Sequence, residues 1–170
     1  MRHYAQSLCK RYTDPVPDTP QAFTMPVSRF TTQLCTWHEG EIPLRAIRTR
    51  VFIREQNVPT ALEWDGEDAQ AVHAVAWDAA GHAIGSARLL LREASAHIGR
   101  MAVLAEWRGQ GVGSALLECV VDAARKRGVG AAFLNAQITA VGFYTRAGFI
   151  AEGEMFLDAG IPHLRMTRQL

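Results

Sequence analysis

The segment HIGRMAVLAEWRGQGVGSALLE, residues 97–118, constrains the fold more than any other part of the chain. A strand-like apolar run enters Arg108-Gly109-Gln110-Gly111-Val112-Gly113. A helical pattern then starts at Ser114, with Ala115, Leu116, Cys119, Val120 and Ala123 on one face. Alternate glycines permit positive φ angles and let a ligand approach the backbone closely. The first amides of the new helix have no intrahelical acceptor and point out of its N-terminus. Together with the helix dipole they form a cradle suited to a pyrophosphate, and Arg108 adds a formal positive charge at its mouth. A Walker loop would end in Gly-Lys-Ser/Thr, but Gly113 is followed by Ser114-Ala115, and the missing lysine disfavours a nucleotide-dependent kinase. A dinucleotide fingerprint needs Gly or Ala at its sixth place; counted from Gly109 that residue is Ser114, and from Gly111 it is Leu116.

The rest of the pattern supplies a frame. Strands are predicted over 30–37, 71–78, 83–91, 97–104 and 131–137, with a closing hairpin of 149–158 and 162–169 around Ala159-Gly160. Helices are predicted over 42–55, with Pro43 in the first turn, over 114–127, and over 139–147. His38-Glu39-Gly40 reads as a turn, and 57–70 as an acidic loop. Mostly hairpin-connected strands with one strand–helix–strand crossover give an α/β architecture around a mixed sheet. Pro15, Pro17, Pro20 and Pro26 make residues 1–27 an irregular tail, with Met25 an alternative natural start, and leave one domain over 28–170. A chain of 170 residues is enough for one self-sufficient core.

Charge and cysteines narrow the function classes. Eighteen basic and seventeen acidic residues give a net charge of +1, so no global attraction to nucleic acid or to an anionic membrane is expected. No apolar run approaches the ~18 residues of a membrane span, and the N-terminus lacks the apolar core of a secretory signal. Cys9, Cys35 and Cys119 are far apart and odd in number, which predicts reduced thiols in a cytoplasmic protein and no zinc site. Cys119 reads as a small core hydrophobe. The run Glu63, Asp65, Glu67, Asp68 lacks the order of a calcium loop and reads as solvated, the alternative being a loop that faces an acceptor site. Arg54 and Glu55 read as structural, and Arg125-Lys126-Arg127 as complement to a helix C-terminus.

The arginine-x-x-Gly-x-Gly form after a strand resembles the acyl-CoA signature of the GNAT superfamily of N-acetyltransferases. The resemblance extends from about residue 30 to 170. LNAQITAVGFYTRAGF, residues 134–149, is similar to the family's second signature. VFIREQNVP and GIPHLRM look like its ElaA-like branch. The resemblance implies a mostly antiparallel twisted mixed sheet with flanking helices, whose fourth and fifth strands are parallel and splay apart. It implies acetyl-CoA as co-substrate and no metal. The pyrophosphate would rest on the amides of Arg108, Gly109, Gln110, Gly111, Val112, Gly113 and Ser114. The pantetheine arm would lie against the backbone of Met101, Ala102 and Val103, and Asn135 would flank the thioester.

The implied reaction is attack of a neutral amine on a thioester carbonyl. Tyr144 matches the family position that protonates the departing sulfur; its other reading is an amphipathic packing residue. His97 takes the place of the glutamate that several members use as base, or relays a proton through water; Glu63, His73 and His163 are further candidates. The acceptor would be a small-molecule or peptide amine, and dimers are common among proteins of this kind. A non-catalytic acyl-CoA sensor is the alternative reading.

Overall fold

The computed structural model describes residues 29–92 and 95–170. The tail assigned to residues 1–27, Met25 and Cys9 lie outside the described residues. The chain opens with β1 (Phe30–Cys35) and turns straight into α1 (Trp37–Arg48). The turn expected at 38–40 is the first turn of that helix. Thr36 forms a capping box: its hydroxyl accepts from Glu39 N–H at 3.4 Å, and the Glu39 carboxylate accepts from Thr36 N–H at 2.8 Å. Pro43 therefore lies inside α1, not at its start. Gly40, Leu44, Ile47 and Arg48 form its buried face. A Cβ on Gly40 would stand 2.6 Å from Cys35 Sγ, so glycine lets the helix lie close on β1. From Thr49 to Glu55 the helix continues as a π-helical stretch.

Next come a short α2 (Thr60–Glu63), β2 (Val72–Asp78), β3 (Ala83–Leu91) and β4 (Ala96–Val103). The glycine segment leads into α3 (Val112–Arg125), which begins two residues earlier than its apolar pattern suggests. β5 (Ala131–Gln137), α4 (Val141–Arg146), β6 (Ile150–Asp158) and β7 (Ile161–Gln169) complete the chain. The sheet order is β1-β2-β3-β4-β5-β7-β6, and its one parallel pair is β4 with β5. This is the mixed, mostly antiparallel sheet with flanking helices that the resemblance implied.

The sheet is filled from both faces. Val112, Leu116, Leu117, Val120 and Val121 of α3 pack on one face against residues such as Ala74, Leu89, Ile98 and Leu134. Leu44, Ile47 and Val51 pack on the other, against Val75, Ala102 and Leu104. Cys119 sits half-buried at the rim of the larger cluster, with its thiol pushed up chiefly by burial. Among the described residues, no helix is long and apolar enough to cross a membrane.

Two features of β4 open the sheet. It pairs with β5 only at Ala96↔Ala132 and His97↔Phe133, and beyond those pairs the two strands diverge. On its other side, Ser86 opposes Ala102 whereas Arg88 opposes Gly99, so Ala87 faces the two residues Arg100 and Met101. That is a β-bulge, and its first residue, Arg100, has φ +51°. A side chain in left-handed backbone costs about 1–2 kcal/mol, so something must hold it there.

Candidate active site

The divergence of β4 and β5 opens a cleft of about 200 Å³. Its walls come from Phe52 of the π-helical stretch and Gln56 just after it, from β4 (His97, Gly99, Met101), from β5 (Asn135, Gln137), from α4 (Tyr144) and from the β6–β7 hairpin (Asp158, Ile161, His163). Gln137 Nε2 donates to Gln56 Oε1 at 2.8 Å and ties the helical wall to the sheet. Of the residues singled out in the sequence, Glu63, His97, Met101, Asn135, Tyr144 and His163 meet here.

The glycine segment lies past the end of β4. Gly109 and Gly111 have φ of +73° and +87°. A Cβ on Gly109 would meet nothing within 4 Å, which leaves open space in front of that backbone. Gly111 is the N-cap of α3, and the first helical bond runs from Ala115 N–H to Gly111 O at 3.0 Å. The amides before it point out of the helix without intrahelical acceptors. Gly113 is different: its φ is not positive, and a Cβ there would make ordinary contacts of 3.6 Å to Phe143 and 3.8 Å to Val103. These features fit a pyrophosphate ester held by backbone amides.

Arg108 is more occupied than its sequence context suggested. Its two terminal nitrogens each donate to a Glu55 carboxylate oxygen at 2.7 Å, and its Nε donates to Val103 O at 3.0 Å. The charge expected at the mouth of the cradle is thus offset by Glu55, whose carboxyl Arg108 holds low. The Val112 side chain is a core residue, 1% exposed.

Tyr144 is 8% exposed and packs edge-on against Phe143 at 4.8 Å and Phe149 at 6.1 Å. Its hydroxyl makes no hydrogen bond to the described residues and opens into the cleft. Burial pushes its pKa up to about 12, so the phenol keeps its proton at all physiological pH. His97 stacks on Phe133 at 4.7 Å with 6° between the planes, and Arg165 covers the same phenyl ring at 4.1 Å. Burial, then the nearby Arg88 and Arg92, hold His97 below the usual imidazole range, which makes it neutral and weakly basic. His73 lies elsewhere: it is fully buried, and its Nε2 donates to Asp68 O at 2.9 Å.

The acidic loop is the main departure from the sequence reading. Two of its four carboxylates are buried, Glu63 at 2% and Asp68 at 6% exposed, while Asp65 is exposed and Glu67 half-buried. Arg48, which has no exposed surface, donates to Glu63 Oε1 at 2.5 Å and to Asp68 at 2.7 Å. Arg88 donates to Asp65 at 2.6 and 2.8 Å and to Asp68 at 3.0 Å. Arg100 reaches back from the bulge. Its Nη2 donates to the carbonyls of Leu62 (2.9 Å) and Glu63 (3.0 Å) and to Asp65 (2.9 Å), and its Nε lies 3.1 Å from Glu63 Oε2. Ser86 Oγ donates to the Arg100 carbonyl at 3.3 Å. This network ties the strained bulge to the loop roofing the cleft. Both Glu63 oxygens are taken by guanidinium groups, so Glu63 is a poor candidate for a free base.

Residues 35–170 match the family described as "Acetyltransferase (GNAT) domain". The uncharacterized N-acetyltransferase YjcF of Bacillus subtilis is 36% identical over 123 residues, covering 72% of this chain and 87% of its own length. Among solved structures, an acyl-CoA N-acyltransferase from Pseudomonas aeruginosa is 32% identical, with a TM-score of 0.73 over 82% of this chain and 99% of that one. Escherichia coli ElaA is 27% identical, with the same TM-score and coverage.

Proposed function

The chain belongs to the GNAT acetyltransferase family, whose co-substrate is acetyl-CoA, and on that premise we propose that it transfers an acetyl group to a primary amine by direct attack. The observation that carries this reading is the juxtaposition of the open β4–β5 gap, the glycine cradle past its end and the unpartnered Tyr144 hydroxyl inside the cleft. The amides of residues 108–114 would hold the pyrophosphate, and the free edge of β4 at Met101 and Ala102 would receive the pantetheine arm. The Val103 carbonyl is already taken by Arg108 and is left out of this assignment. Asn135, on the facing strand, would flank the acyl group.

In the chemical step the amine nitrogen forms a bond to the thioester carbon, charge develops on the carbonyl oxygen, and the C–S bond breaks. An N–H on the free edge of β4, at the bulge, is the donor for that oxygen. Tyr144 donates a hydrogen bond to the departing sulfur. Because its proton is held more tightly than a thiol's, its part is to stabilise the growing charge before any full transfer. His97, neutral on the wall, stands where water can carry a proton from the cleft onward to solvent. The acceptor class in this reading is a small-molecule or peptide amine, and the setting is cytoplasmic.

Calorimetry with acetyl-CoA and a thiol-release assay across a panel of amines test the reading. Gly111→Val would place a branched side chain on the backbone that the pyrophosphate must approach, and acetyl-CoA binding should weaken tenfold or more. Melting of the same variant reads the separate cost of that side chain at φ +87°. Equal affinity in a folded Gly111→Val protein would refute the assigned cradle. Binding without thiol release from any amine would make the protein an acyl-CoA sensor.

A further inference from the structure

We infer that His163 is the general base of this site, a residue that takes the proton from the attacking amine. The inference rests on the acetyl-transfer reading above and assigns its missing proton acceptor.

The hairpin fixes where His163 points. Its two-residue turn, Ala159 at φ +50° and Gly160 at φ +76°, has both central residues left-handed, the turn that matches the twist of paired strands. That turn sets the register of β7, in which His163 opposes Gln137 and Arg165 opposes Asn135 on β5. Directly opposed residues share a face of the sheet. Gln137 and Asn135 line the cleft, and His163 lines it with them.

The ring is oriented and its tautomer is set. His163 Nδ1 lies 2.8 Å from Ile161 O, and a carbonyl can only accept, so Nδ1 carries the hydrogen. Nε2 is then the lone-pair nitrogen of the neutral imidazole. His163 is only 9% exposed, and it stacks on Phe156 at 6.0 Å, so the ring has little freedom. Nε2 has no partner among the described residues, yet it is not one of the enclosed unpaired nitrogens, His73 Nδ1 and Arg88 Nε. His163 lines the cleft, so the cleft is the open space this accessible nitrogen adjoins. A base held by a carbonyl behind it, with its lone pair toward the reacting groups, is the arrangement general-base catalysis needs. His97 lacks such an orienting partner.

In the step, Nε2 accepts the proton from the nitrogen that has bonded to the acyl carbon. The C–S bond breaks toward the thiolate, which Tyr144 hydrogen-bonds. The imidazolium returns its proton to solvent. The other titratable or charged groups facing this space are His97 from β4, Tyr144 from α4, Glu63 with Arg100 at the roof, Asp158 at the turn and Arg165 on β7.

The test uses the full chain and an amine that supports thiol release. His163→Asn puts an amide nitrogen where Nδ1 stood, so the bond to Ile161 O and the turn survive while the base is removed. Its acetyl-CoA affinity and melting should stay near wild type. The kcat/KM for the amine should fall about 100-fold or more, within the range for a positioned base. Free imidazole should restore part of the activity of His163→Ala. Activity within threefold of wild type in His163→Asn, or no restoration of His163→Ala by imidazole, would overturn the assignment. Wild-type protein that binds acetyl-CoA and acetylates nothing would overturn the acetyl-transfer reading itself, which separates the two failures.

Discussion

Arg100 offers a perturbation in which strain and clamping can be pulled apart. Its backbone sits at φ +51° in the bulge, where a non-glycine residue costs about 1–2 kcal/mol and glycine almost nothing. Its guanidinium binds Leu62 O, Glu63 O, Asp65 and Glu63 Oε2. Arg100→Ala removes the clamp and keeps the strain; Arg100→Gly removes both. Most partners are not orphaned by the loss. Glu63 keeps Arg48 on its carboxylate and on its carbonyl, and Asp65 keeps Arg88. The cost therefore falls near roughly 1.5–3 kcal/mol, the range for hydrogen bonds to charged groups, and not near the 3–5 kcal/mol of a buried charge left alone. Arg100→Ala should lose that amount. Arg100→Gly should lose about 1 kcal/mol less, a difference of about 2–4 °C in Tm for a domain of this size.

Activity should not follow that order. Both variants lack the guanidinium that ties the bulge to the roof of the cleft, so both should lose kcat/KM for the amine to the same extent, about tenfold or more by loss of positioning. Acetyl-CoA affinity should change little, because the glycine cradle is untouched. The assays are calorimetric melting, acetyl-CoA titration and thiol release on all three proteins. If the glycine variant is both more stable and proportionately more active than the alanine variant, Arg100 supports the fold alone. If the two melt together, the bulge carries no strain.

Two further outcomes are expected. Tyr144→Phe keeps the ring against Phe143 and Phe149 and should melt within a few degrees of wild type. Its kcat should fall about 10- to 1000-fold with acetyl-CoA affinity unchanged; in the wild type, rates measured up to pH 10 should show no alkaline loss traceable to this phenol, whose pKa is about 12. Stability should fall as the pH drops below about 6.5, the ordinary imidazole value. His73 is held below its ordinary value by burial, so the unfolded chain binds its proton first, and stability present above about 6.5 is lost as pH drops toward the folded value. His97 adds a contribution of the same sign. A urea midpoint that does not move over this range in wild type, or a slope equally steep in His73→Gln, would show that these imidazoles are not the cause.

The strands, the crossover and the glycine segment were legible because each rests on local pattern: alternation for strands, helical spacing for α3, Gly109 and Gly111 where φ is positive. The start of α1 was placed too late, at residue 42 with Pro43 in its first turn, although Thr36-Trp37-His38-Glu39 carries the spacing of a capping box. Periodicity misleads there because proline is at ease in a first turn yet is tolerated deeper when the packing of Leu44 and Ile47 compensates.

What pattern does not reveal is pairing across long separations. Arg48, Arg88 and Arg100 stand 20, 20 and 35–38 residues from the acceptors they bind in the loop, counting Arg48–Asp68, Arg88–Asp68, and Arg100 with Asp65, Glu63 and Leu62. An acidic run with no adjacent base looks solvated, because exposure is the ordinary fate of carboxylates. Here three arginines from one helix and two strands meet it, and Glu63 and Asp68 are buried while Asp65 stays exposed. The same limit hid the bulge: nothing in Gly99-Arg100-Met101 announces an extra residue opposite Ala87, since an arginine at positive φ is stable only when distant groups hold its side chain. His163 was visible as one histidine among several. Its distinction comes from a hairpin turn that sets its face and from a carbonyl two residues back that sets its proton, and both are properties of the folded strand.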